Sequence, residues 1–221
     1  MNQPFRLFFA SEFNFIPFMT NLETTVHQVE ALYASLTADL TVFQQQANYS
    51  CISGCSKCCQ SPHIEATILE LLPYAFHVYL NNCAEELYDK LAETNTPLCI
   101  LYEPIKAMVR KGACADYAFR PLVCRLFGYS FAKDKLGQPD LITCKEIKNH
   151  FPKEVKNIAE QAKNHLELPM ANVYYTRLTE IDYHLSLKQY PINEAMRLAI
   201  ELVLNHFHFT TPSAEVIKSA S

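Results

Sequence analysis

NLETTVHQVEALYASLTADLTVFQQQANYSCISGCSKCC, residues 21–59, joins the two patterns that decide the fold. Up to Asn48, the apolar residues Val26, Val29, Tyr33, Leu36, Leu40 and Phe43 recur every three or four positions. That spacing lines one face of a long amphipathic helix. Cys51, Cys55, Cys58 and Cys59 follow at once, four thiols in nine positions. If this segment is helical, at about 100° per residue, all four sulfurs fall within roughly a quarter of the helix circumference. One segment would then present several soft ligands to one site. Gly54 weakens such a helix by about 1 kcal/mol, so an irregular turn is the alternative.

Working outward, the stretch from Cys51 to Cys144 holds all nine cysteines. The pattern predicts a helix from His63 to Leu80, kinked or shortened by Pro73, and another from Cys83 to Glu93. Between Cys99 and Cys144 it is irregular, broken by Pro104, Gly112, Pro121, Gly128, Gly137 and Pro139, with short strands expected near Leu126 to Phe131. Helices are expected again over Glu146–Glu167, Pro169–Gln189 and Ile192–Phe207, and a loose polar tail follows Thr211. The fold class expected is mainly α, a helical fold around an irregular cysteine-rich metal-binding centre. Its parts are an N-terminal segment and helix (1–48), a cysteine-cluster domain (49–146) and C-terminal helices (147–221), packed as one domain.

Composition excludes several functions. Only 4 of 221 residues are glycine, which argues against phosphate-binding loops. A net charge of −4 gives no broad attraction to nucleic acid or to an anionic membrane, so neither partner is expected. The Phe-rich start, Met1 to Thr20, is interrupted by Glu12 and Asn14 and lacks a cleavage site, so no signal peptide is read there. No later run approaches the roughly 20 apolar residues of a spanning helix. A cytoplasmic location is therefore expected. Thiols stay reduced there, and nine is an odd number for disulfides.

The second half of the constellation is Cys114, Tyr117, Arg120, Pro121, Cys124, Arg125 and Phe127, with Cys99 upstream and Cys144 downstream. Thiolates suit zinc, iron or an iron–sulfur centre, and a tetrahedral zinc or a [4Fe–4S] cluster takes four. The eight cysteines 51, 55, 58, 59, 99, 114, 124 and 144 suffice for two such sites or one bridged binuclear site. Cys83, alone in a helical pattern, is left out. A thiolate-bound metal keeps negative charge that is costly to bury uncompensated. Lys57, Arg110, Lys111, Arg120, Arg125 and Lys145 crowd the region, and Arg120 and Arg125 are the candidates to support the sulfurs or a cofactor.

These residues resemble the YkgJ-type cysteine-cluster family, whose proposed role is zinc or iron chelation. Its C-x-x-x-C-x-x-C-C run matches Cys51, Cys55, Cys58 and Cys59. Its G-x-C-x-x-Y-x-x-R-P-x-x-C-R-x-F run matches Gly112, Cys114, Tyr117, Arg120, Pro121, Cys124, Arg125 and Phe127. Cys99-Ile-Leu-Tyr departs from the family's Cys-Pro-Phe-Leu segment. The resemblance implies a metal site and no settled reaction. A related domain in flagellin lysine N-methylases implies an iron–sulfur enzyme as the alternative.

Other chemistry is weaker. Cys51, Cys55 and Cys58 also match the radical S-adenosylmethionine spacing, but no alternation of strands and helices accompanies them. His206 and His208 would point about 200° apart on a helix, a poor ligand pair. His63 is the one histidine near enough in sequence to serve as a spare ligand. Glu70 is read as pairing with Arg120 or Arg125 or as solvated, and Tyr117 as a packing residue. Tyr174, Tyr175, Tyr183 and Phe207 are read as core or partner surface. Two classes of function stay open: a metal-binding module, which the full thiolate complement favours, and an iron–sulfur or redox enzyme.

Overall fold

The structure is a computed structural model that describes residues 22–52, 55–104, 114–162 and 168–210. Helix α1 spans Leu22–Ala47, and the whole expected stripe from Val26 to Phe43 is buried. It stops at Asn48, whose φ of 53° lies in the left-handed region while its N–H still bonds Gln44 O at 3.0 Å. Asparagine tolerates that conformation better than most residues, so the chain turns there toward the cysteines.

The helix expected from His63 begins later. Glu65–Thr67 instead form strand β1, paired antiparallel with β4 (Gln189–Pro191), Ala66 opposite Tyr190. Helix α2 then runs Ile68–Leu80, straight through Pro73. Its start is a capping box: Thr67 Oγ1 accepts Glu70 N–H, and the Glu70 carboxylate accepts Thr67 N–H. Helix α3 is Ala84–Glu93, with Cys83 at its N-cap.

Beyond it, α4 is a short helix over Leu122–Leu126, and a hairpin of β2 (Ser130–Lys133) and β3 (Pro139–Ile142) follows. The strand expected near Leu126 to Phe131 therefore starts only at Ser130. The single helix expected from Glu146 is two, α5 (Lys145–His150) and α6 (Pro152–Ala162). The break falls at Phe151, where a following proline disfavours helical backbone. Residues 163–167 lie outside the described residues. The Pro169–Gln189 helix also divides, into α7 (Ala171–Ile181) and α8 (Tyr183–Ser186). Asp182 interrupts it and caps α8 by accepting Leu185 N–H at 2.9 Å. Helix α9 spans Ile192–Thr210. The tail after Thr211 lies outside the described residues.

The molecule is mainly α, with two two-stranded sheets among the described residues. The larger core packs α2 against α9, α1 and α7 through Leu36, Leu69, Leu72, Leu178, Met196 and Ile200. Tyr79 stacks on Phe207, ring centroids 4.1 Å apart. A smaller core collects the far end of α1 (Phe43, Ala47), Tyr49, Phe131 of the hairpin, Ile147 and Ile158. Of the aromatic quartet, Tyr174 is core, Tyr175 and Phe207 pack at its edge, and Tyr183 is exposed. Among the described residues, no helix is long and apolar enough to cross a membrane.

Candidate metal centre

The described residues of the first cysteine segment, 51–52 and 55–59, do not form the expected helix. Only Cys58–Gln60 form a single 3₁₀ turn, while Cys55 N–H closes a turn on Ile52 O at 3.0 Å. Residues 53 and 54, Gly54 among them, lie outside the described residues. Ser and Gly in this segment have low helix propensity, which disfavours a regular helix. What fixes the segment is the smaller core. Tyr49 is buried, bonds Gly128 O at 2.8 Å and stacks on Tyr129 at 5.9 Å between centroids, and the Tyr129 hydroxyl accepts the N–H of Cys51. Gly128 adopts φ +100°, a conformation that a side chain would strain.

The other thiols come from three places. Cys99 and Cys114 stand on segments joined by the Tyr102–Cys114 bridge and by Ala115 N–H on Leu101 O at 2.8 Å. Cys124 lies within α4. Cys144 is the N-cap of α5, where its Sγ accepts Ile147 N–H at 3.4 Å. The N–H groups of Leu101 and Asp116 lower the pKa of the Cys99 and Cys114 thiols in the same sense, against the larger effect of burial. Backbone N–H groups aimed at sulfur favour the thiolate over the thiol.

The electrostatics link all eight thiols. Cys51 feels Cys55, Cys58 and Cys144; Cys59 feels Cys58, Cys114 and Cys124; Cys124 feels Cys99. Burial pushes Cys51 and Cys99 up to about 11 and Cys124 up to about 12, and pushes Cys114 up as well. Cys58 goes the other way, down to about 6, because the Cys59 thiol donates a hydrogen bond to its sulfur. Cys59, as that donor, is held well above the ordinary thiol range. Among the described residues, no three His, Cys, Asp or Glu side chains stand close enough, as placed, to hold an ion. As placed, the sulfurs lie within electrostatic range of one another and form no ligand cage.

The two arginines differ. Arg120 favours the thiolates of Cys51, Cys58, Cys114 and Cys124, and its guanidinium lies 3.6 Å from the ring centroid of Tyr117. Tyr117 is thus an exposed platform under Arg120 and not the packing residue expected. Arg125 turns away. Its Nε donates to Arg120 O at 2.7 Å, its Nη2 to Ala118 O, and its guanidinium lies over Tyr33. It clamps the 118–120 turn. Arg110, Lys111 and Gly112 lie outside the described residues. His63 is exposed, and His206 is buried while His208 is exposed. Cys83 is exposed, with its thiol on Asn81 O.

Glu70 is what the sequence reading missed. It pairs with neither arginine and is not solvated: at 1% exposure it accepts Thr67 N–H and Val123 N–H. The signal was local, because Thr67 and Glu70 have the spacing of a capping box. The reach to Val123 carries no signal in sequence.

A helical frame that gathers cysteines from four segments defines a class of thiol-rich proteins, and comparison with family models gives it a family. The chain belongs to the CxxCxxCC family, a proposed zinc- or iron-chelating domain, which matches residues 50–163. No curated protein and no solved structure matches the chain.

Proposed function

We propose that Cys51, Cys55, Cys58, Cys59, Cys99, Cys114, Cys124 and Cys144 hold zinc or iron in a closed, thiolate-rich centre, and that the protein is a metal-binding module. The donor set fits soft or borderline ions: eight sulfurs, backbone N–H groups on several of them, and Arg120 to offset their charge. Cys51, Cys114 and Cys124 each feel Cys58, and Cys59 feels Cys114 and Cys124, so the Cys58–Cys59 pair is where the two cysteine segments meet. Eight sulfurs suffice for two four-sulfur positions or a binuclear centre. The observation that carries the reading is the mutual electrostatic reach of thiols up to 93 residues apart in the chain, Cys51 and Cys144 being the farthest such pair.

Uncompensated thiolates repel, and a bound zinc or iron ion would offset that repulsion. Nine free cysteines suit a reducing compartment, and we place the protein in the cytoplasm. The three stretches, 1–48, 49–146 and 147–221, are read as one domain. The larger core supports this, since its buried residues come from each stretch.

Anaerobic purification followed by elemental analysis and a visible spectrum tests the proposal. A brown protein with iron and sulfide, or a colourless one with stoichiometric zinc, supports it and names the metal. A protein that carries neither and takes up neither overturns it.

A further inference from the structure

Glu70 is the one buried carboxylate among the described residues, and a helix cap alone does not require burial. Its two oxygens do separate things. Oε1 accepts the N–H and the hydroxyl of Thr67, at 3.0 and 3.2 Å, which completes the capping box of α2. Oε2 accepts the N–H of Val123 at 3.0 Å, 53 residues further on. Val123 is in the first turn of α4, immediately before Cys124.

Resting on the metal-centre reading above, we propose that Glu70 is a positioning residue for Cys124. It locks the start of α4 to the core and so sets where the Cys124 sulfur stands among the other ligands. The far side of Cys124 is tied to the same residue. The Tyr33 hydroxyl donates to the Glu70 backbone carbonyl at 2.8 Å, and Arg125 lies over the Tyr33 ring, 4.4 Å from its centroid. Both neighbours of Cys124 are thus fastened to Glu70, one through its side chain and one through its carbonyl. Two N–H groups and one hydroxyl donate to this carboxylate and supply the partners that a buried polar group needs. Ligand binding raises the stability of whatever it holds folded. Metal loading therefore stabilises the α1–α2–α4 packing, and Glu70 carries that coupling.

The test uses the full chain, with Zn²⁺ and, as a spectroscopic probe, Co²⁺ added to metal-free wild type, Glu70→Gln, Glu70→Asp and Thr67→Ala. In Glu70→Gln, an amide must set its NH₂ against an N–H donor at one end. In Glu70→Asp, the charge and the cap position remain but the side chain is too short for Val123. Thr67→Ala weakens the cap and leaves the Val123 bond. Both Glu70 variants are expected to keep their helical circular dichroism and to lose part of the Co²⁺–thiolate absorption. Their metal affinity should fall at least about tenfold, and their rise in Tm on loading should shrink. Thr67→Ala should lose thermal stability yet keep the wild-type spectrum and affinity. Wild-type spectrum, affinity and loading-induced Tm shift in Glu70→Asp would overturn the inference, as would an equal loss of metal in Thr67→Ala. Failure of the wild type itself to bind Zn²⁺ or Co²⁺ overturns the metal reading instead.

Discussion

The hydroxyl of Tyr129 accepts the backbone N–H of Cys51, which ties the first cysteine of the cluster to the hairpin 78 residues later. The contact comes from the smaller core, where buried Tyr49 stacks on the half-buried ring of Tyr129. Tyr129→Phe keeps the stack and removes the acceptor. Stability should fall by about 1 kcal/mol in urea unfolding. Metal retention against a competing chelator should weaken with it. Unchanged retention would mean that Cys51 needs no such anchor.

Arg120 is the cation that favours four of the thiolates. Arg120→Ala should cost about tenfold or more in metal affinity, within the range for groups that support ligands from outside the coordination sphere. Arg120→Lys should recover part of the loss, since it keeps the charge and forfeits the flat stack on Tyr117. Chelator competition measures both. Arg125→Ala should behave differently and loosen the 118–120 turn, with a loss seen first in thermal stability.

Leu36 is fully buried in the larger core. Leu36→Ala should cost about 2–5 kcal/mol, read from chemical denaturation. Metal stoichiometry in the fraction that stays folded should not change, because α1 supplies the frame and no ligand.

Burial raises the Glu70 carboxyl above its ordinary value. The folded state thus holds this proton to higher pH than the unfolded chain does. The stabilising contribution is complete below the unfolded value of 4.5 and is lost as pH rises through the raised folded value. Relative to Glu70→Gln, whose side chain does not titrate, the wild type should lose stability as pH rises through that window. Parallel stability curves for the two proteins, from urea titrations over acidic to neutral pH, would contradict the assignment.

The long helices were legible because their patterns are local. The α1 stripe and the α9 periodicity fall on the faces they bury. The same reasoning overextended three helices, since Phe151 before Pro152, Asp182 and the β1–β4 pairing are decided by single residues or by partners far along the chain. The cysteines were legible as a set from their spacing, but their local shape was not. A helical wheel over Cys51–Cys59 assumed a regularity that Ser and Gly do not support. Glu70 was misjudged because a carboxylate's burial depends on a donor supplied 53 residues away, and no periodicity encodes that.

Thiol accessibility in the metal-loaded protein is the most direct measurement. Native protein is treated with a thiol reagent, and modified cysteines are located by peptide mapping, with and without a chelator. The expected result is prompt modification of Cys83 alone, with the other eight becoming reactive once the metal is removed. Prompt reaction of Cys58, Cys59 and Cys124 in the protein as isolated with its metal would show that they are not ligands, and the proposed centre would fall.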